Sequence, residues 1–265
     1  MRTKVLVAGA AGRMGQETIR TILDDKDLQL VGAVGRKDSE LIGKDIGTIV
    51  GKEKAGVLLT ENLKDAMHRS RPHVMVDFTI PSAVYSNAVL AISCGVHSVL
   101  GATGMSADEI DELDKKAKFA GTAVLVAPNF ALGAVLMIEA AKLVAKYFEH
   151  VEVIEMHHDK KVDAPSGTAI KTVNELAKVR DFNHKELSPN EKARGDKLKG
   201  INVHSIRLPG LVAHEEIIFG GIGQTLTLRH DTIDRTAFMP GVAIAVKEIG
   251  KHKGLIYGLE NLLNL

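Results

Sequence analysis

At 265 residues the chain can bury a sizeable core as one large domain or two modest ones, and 45% hydrophobic with 25% charged residues is ordinary for a globular protein. A formal net charge of +1 gives no electrostatic reason to expect nucleic acid or a membrane surface as a partner. One cysteine, Cys94, excludes an intrachain disulfide, and no apolar run approaches the ~20 residues that span a bilayer, so a cytoplasmic protein is expected.

Met1-Arg2-Thr3-Lys4 and the apolar run after it resemble a leader only superficially, because the run meets glycines at once. Lys4-Val5-Leu6-Val7-Ala8 reads instead as a buried strand, followed by Gly9-Ala10-Ala11-Gly12-Arg13-Met14-Gly15. Helical spacing then runs through Ile19, Ile22 and Leu23, and a second strand covers 28–34. Strand, glycine turn, helix and strand within about thirty residues form the dinucleotide-binding unit. Its glycines permit a tight turn and let backbone N–H groups approach a pyrophosphate at the helix start. The spacing is G-x-x-G-x-x-G, with Ala10 where the commoner fingerprint has its first glycine. A tight turn without a ligand needs the same glycines, and the flanking strand and helix favour the ligand.

The second strand continues into Gly35-Arg36-Lys37, with no acid before Asp38. An Asp or Glu at that point accepts hydrogen bonds from the adenosine ribose and repels a 2′-phosphate. Gly35 leaves room for such a phosphate, Arg36 offers it a planar donor fork and Lys37 adds charge, so NADPH is expected to be preferred with NADH still usable. The competing reading is a solvated basic turn.

The alternation continues with strands at 57–59, 73–78, 96–100 and 123–126 and helices at 62–67, 83–93 and 107–119. This predicts a doubly wound parallel sheet, whose ligands sit at the carboxyl ends of the strands. Three turns then face the crevice: 78–81, 101–104 and 127–130. After Asn129 the pattern changes. A long apolar helix over 132–148 is expected, then a strand over 151–156, a charged surface loop over 180–200, and strand-like runs at 201–208, 215–219 and 224–230. A last helix starts at Asp234-Arg235 and runs through Pro240 and Ile249. The second half therefore reads as an α+β domain with a mixed or antiparallel sheet, whose open face can pair with another subunit.

Between strand 151–156 and the next helix lies His157-His158-Asp159-Lys160-Lys161-Val162-Asp163-Ala164-Pro165-Ser166-Gly167-Thr168-Ala169. Asp163 or Ser166 can cap that helix, and Pro165 suits its first turn. Outward N–H groups, a close approach at Gly167 and the Thr168 hydroxyl can hold a carboxylate, with an imidazole and an ammonium beside it. A merely capped helix after surface histidines is the bland alternative. A metal site is not expected: adjacent residues on an extended chain point to opposite faces, and no ligand spacing appears.

Taken in order, GAAGRMG, DFTIP, GATG, APNF, EMHHDKKVDAPSGTA, RLPGLVAHEEIIF and DRTAFMPGV make the whole chain similar to the 4-hydroxy-tetrahydrodipicolinate (dihydrodipicolinate) reductase family of bacterial lysine and diaminopimelate synthesis. The resemblance implies a Rossmann-type cofactor domain over 1–130, to which 240–265 return, and a substrate and oligomerisation domain over 131–239. It further implies a homotetramer, a small cyclic dicarboxylate substrate and reduction by NAD(P)H. Carried over by motif, Gly9, Ala10, Ala11, Gly12, Arg13 and Met14 lie against the pyrophosphate. Gly101, Ala102 and Thr103 line the nicotinamide side with Ala127, Pro128, Asn129 and Phe130, and Thr103 also meets substrate. His157 is the acid/base residue and Lys161 the proton donor, while His158, Gly167 and Thr168 hold the substrate. Two departures stand out: GATG replaces the family's GTTG, and the acid after the second strand is missing. Of the rival readings, a semialdehyde dehydrogenase wants a cysteine at the domain junction, where Cys94 does not lie. A non-catalytic dinucleotide sensor needs no acid/base pair.

Overall fold

The computed structural model describes residues 2–102, 104–182, 191–263 and 265. The chain divides into two compact units, one of Met1–Phe130 with Phe238–Leu265 and one of Ala131–Ala237.

The first unit opens with β1 (Thr3–Ala8), α1 (Arg13–Asp24) and β2 (Leu28–Val34). It continues with α2 (Ile46–Ile49), β3 (Leu59–Thr60), α3 (Leu63–Ser70), β4 (Val74–Asp77), α4 (Pro81–Ser93), β5 (His97–Leu100), α5 (Ala107–Ala120) and β6 (Ala123–Val126). The second unit holds α6 (Leu132–Ala145), β7 (His150–His157), α7 (Gly167–Val179), β8 (Asp196–Leu198), β9 (Ile201–Arg207), β10 (Ala213–Gly221) and β11 (Gln224–Thr232). The chain then returns to the first unit with α8 (Met239–Glu248), β12 (Gly254–Tyr257) and α9 (Leu259–Leu263).

The first sheet has the order β12-β6-β5-β4-β1-β2-β3, and its strands pair in parallel. Both faces are covered by helices, so its strands read as apolar runs rather than alternations: all four residues of β4 and of β6 are buried. Strand order reverses between β1 and β4, where Ala8 and Asp77 stand opposite one another. That is the point where an open α/β sheet leaves a crevice at its carboxyl edge. Local signals set the helices. Ser106 and Glu109 form a reciprocal capping box at the start of α5, and Gly121, in the left-handed region, ends it.

The second sheet is mixed. In the order β11-β10-β7-β9-β8, β7 runs antiparallel to β10 and parallel to β9, while β10 and β11 form a hairpin. Helices α6 and α7 pack on one face over a core that includes Val153, Leu176, Phe182, Ile217 and Phe219.

The doubly wound parallel sheet and the separate mixed sheet are those read from the sequence; several boundaries are not. Part of the loop expected over 180–200 is strand β8, which pairs antiparallel with β9 at the sheet edge; residues 183–190 of that loop lie outside the described residues. The last helix begins at Met239, after a 3-10 turn over Arg235–Phe238, because Pro240 lacks an N–H and fits a first turn. Helix α6 ends at Ala145 rather than 148. Strand β12 and helix α9 were not foreseen, being too short to show a period.

Gly9 fixes the turn after β1. Its backbone is left-handed at φ 76°, and an added Cβ would lie 2.6 Å from the carbonyl oxygen of Phe78. Gly56 has a similar φ of 72° with nothing within 4 Å of an added Cβ. Gly56→Ala should therefore lose only the backbone strain, roughly 1–3 kcal/mol, and Gly9→Ala clearly more, as read by urea unfolding. Equal losses would deny the contact with Phe78.

Candidate functional site

In the first unit the glycine turn leaves donors at the head of α1. Gly12 is the N-cap and has no side chain to accept from the first-turn N–H groups of α1. The turn is closed by Gly12 N donating to Gly9 O at 2.9 Å and by Ala10 N donating to Val34 O at 3.0 Å. Ala10 is buried, Ala11 and Met14 are half-buried, and Gly12 and Arg13 are exposed. The arrangement fits an anionic pyrophosphate at the helix start.

The three strand-end turns are linked in series. Phe78 N donates to Ala8 O, Gly101 N to Asp77 O, and Ala127 N to Leu100 O. Gly101 lies under the Phe78 ring, where an added Cβ would come within 2.1 Å of Cε1. Phe78 meets Phe130 edge-on at 5.8 Å between ring centres. Asp77, fully buried, accepts from Thr79 N at 2.7 Å and Asn87 Nδ2 at 2.8 Å. Its burial raises the carboxyl pKa despite these bonds. Ala102 and Asn129 are half-buried, Pro128 is exposed, and Thr103 lies outside the described residues.

Arg36 and Lys37 are exposed just beyond β2. Gly35 serves packing: an added Cβ would lie 3.2 Å from a methyl of Leu59, so on that side the room expected for a phosphate is filled by Leu59. Cys94 caps the end of α4, half-buried against the sheet core.

In the second unit the inward face of the sheet changes character rung by rung. The first rung is Val203–Val153–Ile217, all apolar and buried. The next is Ser205–Glu155–Glu215, and the last Arg207–His157–Ala213. The core thus gives way to two carboxylates, a guanidinium and an imidazole. Glu155, at 0% exposure, accepts from Arg207 Nη2 at 2.7 Å and Nη1 at 2.9 Å, from Ser166 N at 3.1 Å, and faces His157 Nδ1 at 2.6 Å. Burial opposes its charge, but the bonds from Arg207, Ser205 and His157 outweigh it and hold the carboxyl below its usual range. Glu215 accepts from the Thr172 hydroxyl of α7. Burial raises its carboxyl to about 7, with the Glu155 charge adding.

His157 ends β7 with its side chain 14% exposed. Burial lowers its pKa, and Lys161 and Arg207 add to that, against the opposing influence of Glu155. His158 is exposed beyond the strand. Lys161 Nζ donates to both oxygens of Asp163 at 2.7 Å, and that bond holds Asp163 below its usual range. Ser166 is the N-cap of α7, accepting from Ala169 N at 3.1 Å. Asp163 is therefore not the cap, being paired with Lys161, and Pro165 precedes the cap instead of lying in the first turn. Gly167 opens α7 with nothing within 4 Å of an added Cβ, and Thr168 follows it, half-buried. Among the described residues no three His, Cys, Asp or Glu side chains cluster as a metal site needs, and no helix is long and apolar enough to cross a membrane.

Glu155, Arg207 and Glu215 were missed by the sequence reading. The signal was available: in Val151-Glu152-Val153-Ile154-Glu155-Met156-His157, Glu155 shares the parity of the two valines.

Residues 3–130 match the family model described as dihydrodipicolinate reductase, N-terminus, and residues 133–263 match its C-terminus. A 4-hydroxy-tetrahydrodipicolinate reductase of Moorella thermoacetica is 49% identical over 264 residues, covering 98% of this chain and 97% of the relative. The enzyme of the same name from Listeria monocytogenes is 45% identical, covering 98% and 100%. The dipicolinate-bound dihydrodipicolinate reductase of Paenisporosarcina sp. TG-14 superposes with a TM-score of 0.86 at 39% identity, covering 98% of this chain and 99% of that one. An amine dehydrogenase of Mycobacterium smegmatis, at 14% identity and a TM-score of 0.73, shares the fold.

Glu215 provides a test of the polar rungs. Its folded value of about 7 lies above the ordinary 4.5, so between these pH values the folded chain keeps a proton that the unfolded chain has released. Its contribution to stability therefore falls as pH rises through that window. Glu215→Gln keeps an acceptor for Thr172 and has no proton to lose. It should raise stability relative to wild type more at pH 8 than at pH 4, by a difference on the order of 1–3 kcal/mol that a larger rise in Tm at pH 8 reports. Equal effects in melts at the two pH values would remove the neutral carboxyl.

Proposed function

This chain belongs to the dihydrodipicolinate reductase family, and from that premise we propose how its residues divide the work of the family's reaction. The chain is an NAD(P)H-dependent oxidoreductase of lysine and diaminopimelate biosynthesis. It reduces 4-hydroxy-tetrahydrodipicolinate, or the dihydrodipicolinate left when that compound loses water, to tetrahydrodipicolinate. When bound, the nicotinamide supplies a hydride with its electron pair. The conjugated imine ring takes that pair, a proton must follow, and the hydrated substrate releases one water.

The observation that carries the assignment of roles is the conjunction in the second unit of His157, Lys161 and the open start of α7. The N–H groups at Gly167 and the hydroxyl of Thr168 suit a carboxylate, and the exposed His158 suits the second carboxylate of a cyclic diacid. Dipicolinate in the Paenisporosarcina enzyme supports a ligand of this class. Charge developing on the ring nitrogen and its neighbouring carbon is met by Lys161, which carries the proton to be delivered. The imidazole of His157, its neutral form favoured by burial, is suited to take a proton from solvent and pass one on to replace the proton Lys161 gives up.

In the first unit the Gly9–Ala10–Ala11–Gly12–Arg13–Met14 turn takes the pyrophosphate, supported by the uncapped head of α1. Gly101, Ala102, Thr103 and Ala127 to Phe130 line the nicotinamide side, with Thr103 carried by the motif alone. Residues 1–130 with 240–265 then act as the cofactor domain and 131–239 as the substrate domain. A cytoplasmic homotetramer completes the reading. Its support is the uncovered face of the mixed sheet, where Ile154 and Ile218 are only half-buried and Ile206 is 36% exposed.

His157→Ala and Lys161→Ala should each lower kcat by roughly a hundredfold or more with cofactor affinity near normal. The assay couples the preceding enzyme of the pathway to supply the unstable substrate and follows NADPH consumption. Near-normal kcat in His157→Ala would remove the acid/base assignment.

Preference for NADPH rests on Arg36 and Lys37, exposed beyond β2 with no acid before Asp38. Arg36→Ala should weaken NADPH by about 1–3 kcal/mol and NADH much less. Calorimetry of both cofactors at one salt concentration checks this. Equal weakening, or a wild-type preference for NADH, would sink it.

A further inference from the structure

Glu155 is absent from every role given above, yet it is the most heavily bonded side chain of the second unit's polar rungs. It sits two residues before His157 on the same face of β7, so one strand sets their separation. Its two oxygens are divided. Oε2 takes His157 Nδ1 at 2.6 Å and Arg207 Nη1 at 2.9 Å, while Oε1 takes Arg207 Nη2 at 2.7 Å and Ser166 N at 3.1 Å. Arg207 is locked in turn, donating to the carbonyls of Asp163 at 2.7 Å and Ile206 at 2.8 Å. A carboxylate held by a two-pronged guanidinium cannot turn away from the imidazole without breaking several charge-assisted bonds at once.

We propose that Glu155, fixed by Arg207, is the positioning residue of the site, holding Nδ1–H of His157 so that Nε2 is the atom that exchanges the proton during reduction. The proposal rests on the acid/base reading of His157. An ionised carboxylate can only accept, so the nitrogen facing it must carry the hydrogen. In the neutral ring the lone pair then lies on Nε2. When Nε2 takes a proton, the new positive charge is delocalised over a ring whose other N–H already points at Glu155, which stabilises it. The proton that Nε2 takes from solvent leaves again from Nε2 to replace the one Lys161 gives to the ring, and Glu155 keeps its charge throughout. The groups that act on His157 are accounted for on each side. Glu155 favours the imidazolium, Lys161 and Arg207 disfavour it, Asp163 is occupied with Lys161, and Glu215 on β10 is pushed toward its neutral form by burial.

The test begins with the wild type. Histidine labelled with nitrogen-15, with the His157 signal identified by its loss in His157→Gln, reports which ring nitrogen carries hydrogen above the titration of the ring. The expected result is Nδ1–H; a neutral ring protonated on Nε2 would overturn the proposal without any further variant. Glu155→Gln follows. Its amide can accept from Nδ1 or donate to it, so both tautomers should appear and the pH of half-protonation of His157 should fall. Turnover should drop about tenfold or more, with KM changed less than threefold. If turnover falls while tautomer and titration stay as in wild type, Glu155 is merely structural and the proposal fails. It fails equally if Glu155→Gln leaves turnover and its pH profile unchanged. Should that variant not fold, the wild-type spectrum decides alone. Near-normal kcat in His157→Gln would instead defeat the acid/base reading, and the tautomer result would still stand as a statement about the ring.

Discussion

A carboxylate with no solvent exposure must find its neutralising donors inside the protein, and for Glu155 that requirement organises the polar end of the second unit. Its donors come from four places in the chain: Arg207 at the end of β9, Ser205 on the same strand, Ser166 at the cap of α7, and His157 at the end of β7. Satisfying one side chain therefore fixes where β7 stops, where α7 starts and how the loop between them is held at Asp163. Loss of any one donor would leave part of a buried charge unmatched, which is far more costly than loss of a surface pair.

The same requirement explains the neighbouring acid. Glu155 and Glu215 are register partners on β7 and β10, and two buried carboxylates on neighbouring strands are not both ionised cheaply. The guanidinium of Arg207 goes to Glu155, while Glu215 receives the hydroxyl of Thr172. Burial raises both acids; the bonds from Arg207, Ser205 and His157 bring Glu155 below its ordinary range, while Glu215, with only the Thr172 hydroxyl, stays above its own.

How much of this was legible follows from what each signal depends on. The glycine turn at 9–15 was readable because its constraint is local: a left-handed φ at Gly9 and a helix head at Gly12 belong to a handful of adjacent residues. The parallel sheet was readable because strands buried on both faces are apolar throughout. The His157 to Ala169 string was readable by its residue types, though its internal bonding was not: nothing local distinguishes Ser166 from Asp163 as the cap until Lys161 claims Asp163. The partners of His157 were harder still. Arg207 is fifty residues downstream of it in sequence and adjacent only through the β7–β9 register, and a parallel pairing across a helix and a long connection leaves no local trace. Thr103 and residues 183–190 of the loop stand outside the described residues, so their expected roles remain those of the sequence.

Lys161 and Arg207, two cations of the second unit, differ in what holds them. Lys161 is paired with Asp163, whose side chain is 62% exposed, so water can take over the carboxylate and the pair contributes little to stability. Arg207 is paired with Glu155, whose side chain is fully enclosed, and separating them would strand a buried charge. Another anion would therefore compete with Asp163 for the ammonium at small cost, but could draw the guanidinium from Glu155 only by stranding that buried charge. Of these two, Lys161 is the exchangeable cation and Arg207 part of the framework. That division is set by burial alone: Glu155 stands on the inward face of β7, while Asp163 belongs to the exposed loop beyond that strand.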